Sequence, residues 1–102
     1  MTRAEIWLAQ VGRKSRPVLI LTRPEVIAVR QLVTVAEITT RIRGLAAEVE
    51  FDHDGAGLDQ LSVVNCDGLH TIRRSSLTRR VGAVEDDTMD KVCSAVAYAL
   101  AC

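Results

Sequence analysis

Aromatic residues are almost absent from this chain of 102 residues: one Trp, one Phe and one Tyr make up 3% of it. Trp7, Phe51 and Tyr98 are too few to build the stacked platforms on which single-stranded nucleic acid is held without sequence choice. No apolar run approaches the roughly 18 residues of a membrane span. The longest, residues 95–102, is interrupted upstream by Ser94 and Lys91. The stretch from Met1 to Trp7 has no apolar leader core. The three cysteines, Cys66, Cys93 and Cys102, are an odd number without Cys-x-x-Cys spacing, which fits neither a disulfide framework nor a zinc site. Reduced thiols in a cytoplasmic protein are expected, with Cys66 and Cys93 as small apolar filler and Cys102 exposed at the end of the chain. There is no His-Glu-x-x-His, no phosphate-binding loop and no dinucleotide glycine pattern. No metal, cofactor or membrane partner is therefore expected. Nothing in the sequence brings His53 and His70 together as a catalytic pair, and each is read as an exposed or satisfied side chain.

Net charge is also lacking, since 13 Lys+Arg balance 13 Asp+Glu. With 48% hydrophobic residues, the chain is neither a disordered nor a collagen-like polymer. Its length fits one domain, residues 1–102, able to bury roughly two-thirds of its unfolded surface. The zero conceals a distribution. Residues 1–30 carry +4, 31–69 carry −5, 70–84 carry +4 and 85–102 carry −3. Arg13, Lys14, Ser15 and Arg16 form a basic cluster beside Gly12. Pro17 pushes Arg16 out of the helical region, so a long cation stands extended at the mouth of an apolar strand, a setting suited to an anion. Thr39, Thr40 and Arg41 end the most apolar strand, where a hydroxyl offers one donor and two lone pairs.

The first two-thirds reads as short strands. Residues 5–9, 16–22, 32–39, 47–51 and 62–66 are apolar, β-branched or alternating. Gly12 to Ser15 reads as a basic turn, residues 54–57 as a loop and Asp67-Gly68 as a turn between strands 62–66 and 69–73. Residues 80–84 form a last strand. Met89, Val92, Cys93, Val96, Ala97 and Leu100 then fall on one face of a helix capped by Asp86 or Asp87. The fold class is mainly β: a small barrel or sandwich of short, mostly antiparallel strands with a C-terminal amphipathic helix.

The ordered set Glu5-Ile-Trp7, Arg16-Pro-Val-Leu-Ile-Leu-Thr22, Val35-Ala-Glu-Ile-Thr-Thr40, Asp59 to Asp67, Thr71-Ile72 and the helix from Asp86 resembles the MazF/PemK family of toxin endoribonucleases over nearly the whole chain. The resemblance implies an SH3-like barrel that forms a homodimer. It implies the toxin of a bacterial type II toxin–antitoxin pair, a metal-independent, sequence-specific endoribonuclease. Its expected partners are single-stranded RNA (mRNA, rRNA or tRNA) and a cognate antitoxin whose flexible segment docks on the dimer. Carried residue by residue, the resemblance gives catalytic roles to Arg16 and Thr39, a recognition loop at Gly12 to Ser15, and RNA contacts at Arg13, Lys14, Ser15, Thr40, Arg41 and Asp67. Ala4 stands where the family often has Gly, the first loop is short and basic, and Gly68 follows the acid where other members carry a larger residue.

Two other functions use the same kind of barrel: a non-enzymatic gyrase-binding toxin like CcdB, and an SH3-like interaction module. The first carries its contacts on a C-terminal Trp-Gly-Ile, whereas this chain ends Ala-Leu-Ala-Cys and has its single Trp at position 7.

Overall fold

The computed structural model describes residues 1–102 throughout. Six strands form one sheet: β1 (Glu5–Val11), β2 (Lys14–Ile20), β3 (Leu32–Thr39), β4 (Glu48–Glu50), β5 (Val63–Arg73) and β6 (Leu77–Ala83). Their order is β4-β5-β3-β2-β1-β6, and every neighbouring pair is antiparallel. A short helix α1 (Pro24–Ile27) joins β2 to β3, a 3-10 turn (Arg74–Ser76) joins β5 to β6, and helix α2 (Asp86–Ala99) ends the chain. The sheet stays open, with no ladder between β6 and β4. The loop after β4 spans that opening: a Cβ on Gly82 of β6 would lie 1.9 Å from the Ala56 carbonyl oxygen. Only glycine permits so close an approach, and it gives the open sheet its barrel-like wrap.

Alternation along the strands builds two cores. Ile6, Leu19, Ala36, Ile38, Val64 and Cys66 point to one face and are covered by Met89, Val92 and Ala95 of α2. Ala9, Val18, Ile20, Val33 and Val35 point to the other, where Ile27 of α1 and Leu77 close one end. Burying each large aliphatic side chain contributes about 1.5–3 kcal/mol, so the long β-branched run of β3, buried on both faces, is the centre of the molecule.

Several sequence expectations need correction. Asp67-Gly68 is not a turn: β5 runs unbroken from Val63 to Arg73. Ala36 pairs with Leu69 and Glu37 with Asn65, which leaves residues 66–68 as a bulge opposite no residue of β3. The basic turn is shorter than expected. Only Gly12 and Arg13 turn, with Gly12 at φ +61°, while Lys14 and Ser15 already belong to β2. No element was expected between Thr22 and Leu32, yet α1 forms there, with Pro24 pre-setting its first turn. Glu85, not Asp86 or Asp87, is the N-cap of α2; both aspartates lie in the first turn, where their charge suits the helix dipole. On the predicted apolar stripe, Cys93 and Leu100 are exposed, because the sheet covers only the Met89–Val92–Ala95 side.

Candidate active site

The register of β2 on β3 creates the site. Val18 pairs with Glu37, Leu19 with Ala36 and Ile20 with Val35, and the ladder stops at Val18. Continuing that register two residues past its last pair would set Arg16 against Thr39, on the face shared with Val18 and Glu37, and both line the same cleft. Because the strands part there, the unladdered end is a cleft of about 250 Å³ lined by Arg16, Pro17, Glu37, Thr39 and His70 over an apolar floor. Pro17 lies just beyond the last β3 pair, so its missing N–H leaves no gap in that ladder.

The polar groups of the cleft are held in different ways. Arg16 is exposed and makes no ion pair or side-chain hydrogen bond within the chain. Its guanidinium is free for an anion. Thr39 Oγ1 accepts the backbone N–H of Arg41 at 3.0 Å. That bond fixes the hydroxyl and leaves its proton available to donate. His70 Nε2 stands 3.1 Å from Glu37 Oε1. The bulge makes room for the pair, since a Cβ on Gly68 would lie 2.1 Å from Glu37 Oε2.

The other residues singled out in the sequence surround the cleft more loosely. Arg13 and Lys14 are exposed on the β1–β2 hairpin. Ser15 Oγ donates to Gln10 Oε1 at 3.1 Å, and Gln10 Nε2 donates to the Gly12 carbonyl at 2.8 Å, so the hairpin tip is braced. Thr40 and Arg41 follow β3 and are exposed. Asp67 is exposed in the bulge, with its N–H donated to Asn65 Oδ1 at 3.1 Å, and does not line the cleft. Glu37 and His70 also line the cleft, although nothing in their local sequence marks them as site residues. Glu37 reads as the solvated position of an apolar strand, and His70 joins it only through a register that the bulge displaces. His53 is satisfied elsewhere, its Nδ1 2.9 Å from the Leu58 carbonyl oxygen.

The two basic blocks of the sequence meet in the sheet, because β6 pairs with β1, which pairs with β2. One cation of the second block is neutralised locally: Arg80 Nε bonds Glu5 Oε2 at 2.6 Å. Burial by itself would raise the Glu5 carboxyl, but bonds from Arg80, the Thr2 N–H and the Trp7 indole outweigh it and hold the group below the usual glutamate range. Burial pushes the Cys66 thiol up to about 11, aided by the charges of Asp67 and Cys93, so this sulfur remains an inert core atom. Nowhere do three His, Cys, Asp or Glu side chains converge as a ligand set. No helix is long and apolar enough to cross a membrane.

Comparison with known proteins identifies the family of the chain. Residues 2–100 match the family described as PemK-like, MazF-like toxin of type II toxin-antitoxin system. Endoribonuclease MazF3 of Mycobacterium tuberculosis is 52% identical over 77 residues, 76% of this chain and 73% of that protein. The solved structure of Mycobacterium tuberculosis toxin MazF-mt6 superposes with a TM-score of 0.88 at 42% identity, over 95% of this chain and 96% of the other. An endoribonuclease in complex with its cognate antitoxin from a mycobacterial species gives a TM-score of 0.89 at 25% identity, over 99% of this chain and 95% of that one. With a match over nearly its full length, the chain belongs to the PemK-like, MazF-like toxins of type II toxin–antitoxin systems.

Proposed function

We propose that this MazF-type endoribonuclease cuts single-stranded RNA through the 2′-hydroxyl, without a metal ion, leaving a 2′,3′-cyclic phosphate and a 5′-hydroxyl. The observation that carries the reading is that Arg16 and Thr39 line one cleft where the β2–β3 ladder ends. RNA brings its own nucleophile. An enzyme need only hold the 2′-oxygen in line with phosphorus and stabilise the charge that gathers on the phosphate. Alignment alone accounts for several kcal/mol of such a barrier. Arg16 is the charge-stabilising group, since a guanidinium stays protonated and offers a fork of donors to two phosphate oxygens. Thr39 is an orienting donor: its oxygen already accepts from Arg41, and its proton remains available for a phosphate oxygen or the 2′-oxygen. A Thr hydroxyl is too weak a base to take a proton at neutral pH.

Around this centre, Arg13, Lys14 and Ser15 of the hairpin steer the strand, and Thr40, Arg41 and Asp67 contribute to base choice. Zero net charge keeps sequence-independent backbone binding weak, so selection falls to the local groove and base contacts. The active particle is a homodimer of single-domain chains, residues 1–102, acting in the cytoplasm on cellular RNA. Its antitoxin carries a flexible acidic segment that competes with RNA for the arginine-rich surface. The test is digestion of mixed single-stranded RNA with and without EDTA, followed by sequencing of the new 5′ ends. Cleavage at a short recurring sequence, unaffected by EDTA, is expected. A 2′-deoxy nucleotide at the cut position should block it, and cleavage of that substrate would overturn the mechanism.

A further inference from the structure

Neither Arg16 nor Thr39 can remove the proton of the attacking 2′-hydroxyl, because one is a permanent cation and the other a weak base. The same cleft contains one group of suitable chemistry. His70 pairs with Val35 in the β3–β5 ladder, which puts it on the face of Arg16 and Glu37. Its Nε2 is 3.1 Å from Glu37 Oε1, and both side chains line the cleft with Arg16 and Thr39. Gly68 leaves the space in which the Glu37 carboxylate sits.

Building on the cleavage chemistry read from Arg16 and Thr39, we propose that His70 is the general base of the cleft and that Glu37 positions it. A carboxylate beside Nε2 holds the ring proton on that nitrogen and leaves the lone pair on Nδ1. It also stabilises the imidazolium that forms, as the carboxylate of an Asp–His pair does in other enzymes. The step balances. Nδ1 takes the 2′-hydroxyl proton as the bond from O2′ to phosphorus forms. The bond from phosphorus to O5′ breaks with its electron pair on O5′, which takes a proton from solvent water. The imidazolium then returns its proton to the hydroxide so produced.

The charged groups around His70 are few. Strand β2 contributes Arg16 and β3 contributes Glu37. Strand β4, paired to the first part of β5, contributes Glu48 and Glu50. Glu48 is already engaged, accepting the N–H groups of Arg43 and Leu45 at 3.0 and 3.1 Å. Asp67 lies in the bulge of β5 itself and is exposed. Glu37 is therefore the one acid in direct contact with the ring.

The test uses the purified full chain and a fluorescent single-stranded RNA containing a sequence that the wild-type protein cuts. His70→Gln should lower kcat by about 10²–10⁴-fold with KM nearly unchanged. It should also flatten the acidic limb of the pH–rate profile, a readout that a merely structural role would leave in place. His70 is exposed, so its variants should fold, which circular dichroism and binding of the 2′-deoxy RNA will establish. Added imidazole should restore part of the rate of His70→Ala, and Glu37→Gln should lower kcat about tenfold. Two results overturn the proposal: His70→Gln cutting within about threefold of wild type, or a slowed His70→Ala that keeps its acidic limb and ignores imidazole. Wild-type protein that cuts no RNA at all overturns the reading of the cleft itself, and the proposal with it.

Discussion

The two faces of the sheet share the same strands and differ in how far they are covered. On one, α2 and the loop after β4 pack against the strands and share with them a core of twelve buried residues. On the other, seven buried residues gather toward α1 and Leu77, and the cover stops before Arg16 and Thr39. The larger core thus lies on the helix face, and the chemistry we propose lies at the uncovered end of its opposite. A strand such as β2 serves both at once: Leu19 looks into the helix-covered core while Arg16 and Val18 look the other way.

Substitutions can separate the faces. Arg16→Ala should reduce kcat/KM for RNA by about 10³-fold, or about 4 kcal/mol of transition-state stabilisation, with an unchanged melting curve. A variant that folds and cuts normally would break the contrast. Leu19→Ala should do the reverse: about 3 kcal/mol lost in urea unfolding, with kcat preserved in the fraction still folded. Arg80→Ala strips the cation from the poorly exposed Glu5 and should cost about 1–2 kcal/mol, reduced from a fully buried pair because Arg80 is half exposed. The Glu5 carboxyl is lowered on folding, so its stabilising effect is full above the ordinary glutamate range and is lost as pH falls through the lowered folded value. Unfolding measured against pH should therefore show wild type and Arg80→Ala converging in acid. The smallest effect is at Ala4, a non-glycine residue at φ +75°. Ala4→Gly should relieve left-handed strain and raise stability by about 0.5 kcal/mol, net of the entropy that glycine adds to the unfolded chain.

Legibility in the sequence followed the same division. Leu32–Thr39 is read to the residue, because eight positions rich in β-branched side chains leave no other choice. Helix α2 is visible in its period. Only half of its apolar stripe is covered, since burial of Cys93 or Leu100 depends on what faces them and not on their own spacing. The four residues of α1 are too few to show a period, although Pro24 marks its start. In the cleft, Arg16 and Thr39 each have a local signal, in the following Pro17 and in the end of an apolar strand, that matches the family resemblance. Glu37 and His70 have none. They meet through a pairing between strands 33 residues apart in the chain, and such pairing is invisible to local pattern.

The bulge at residues 66–68 has a consequence for how β5 can change. Three is an odd number, so the insertion reverses the phase of the strand. Asn65 and His70 lie five positions apart yet share a face, and Leu69 joins the helix-side core where simple alternation would turn it toward the cleft. Loss of a single residue from the bulge would exchange them, sending Leu69 into the cleft and His70 under the helix. In β5, then, length is constrained as strictly as composition. Side chains on either side of the bulge can vary one at a time, but a one-residue deletion rewrites both faces of the sheet together.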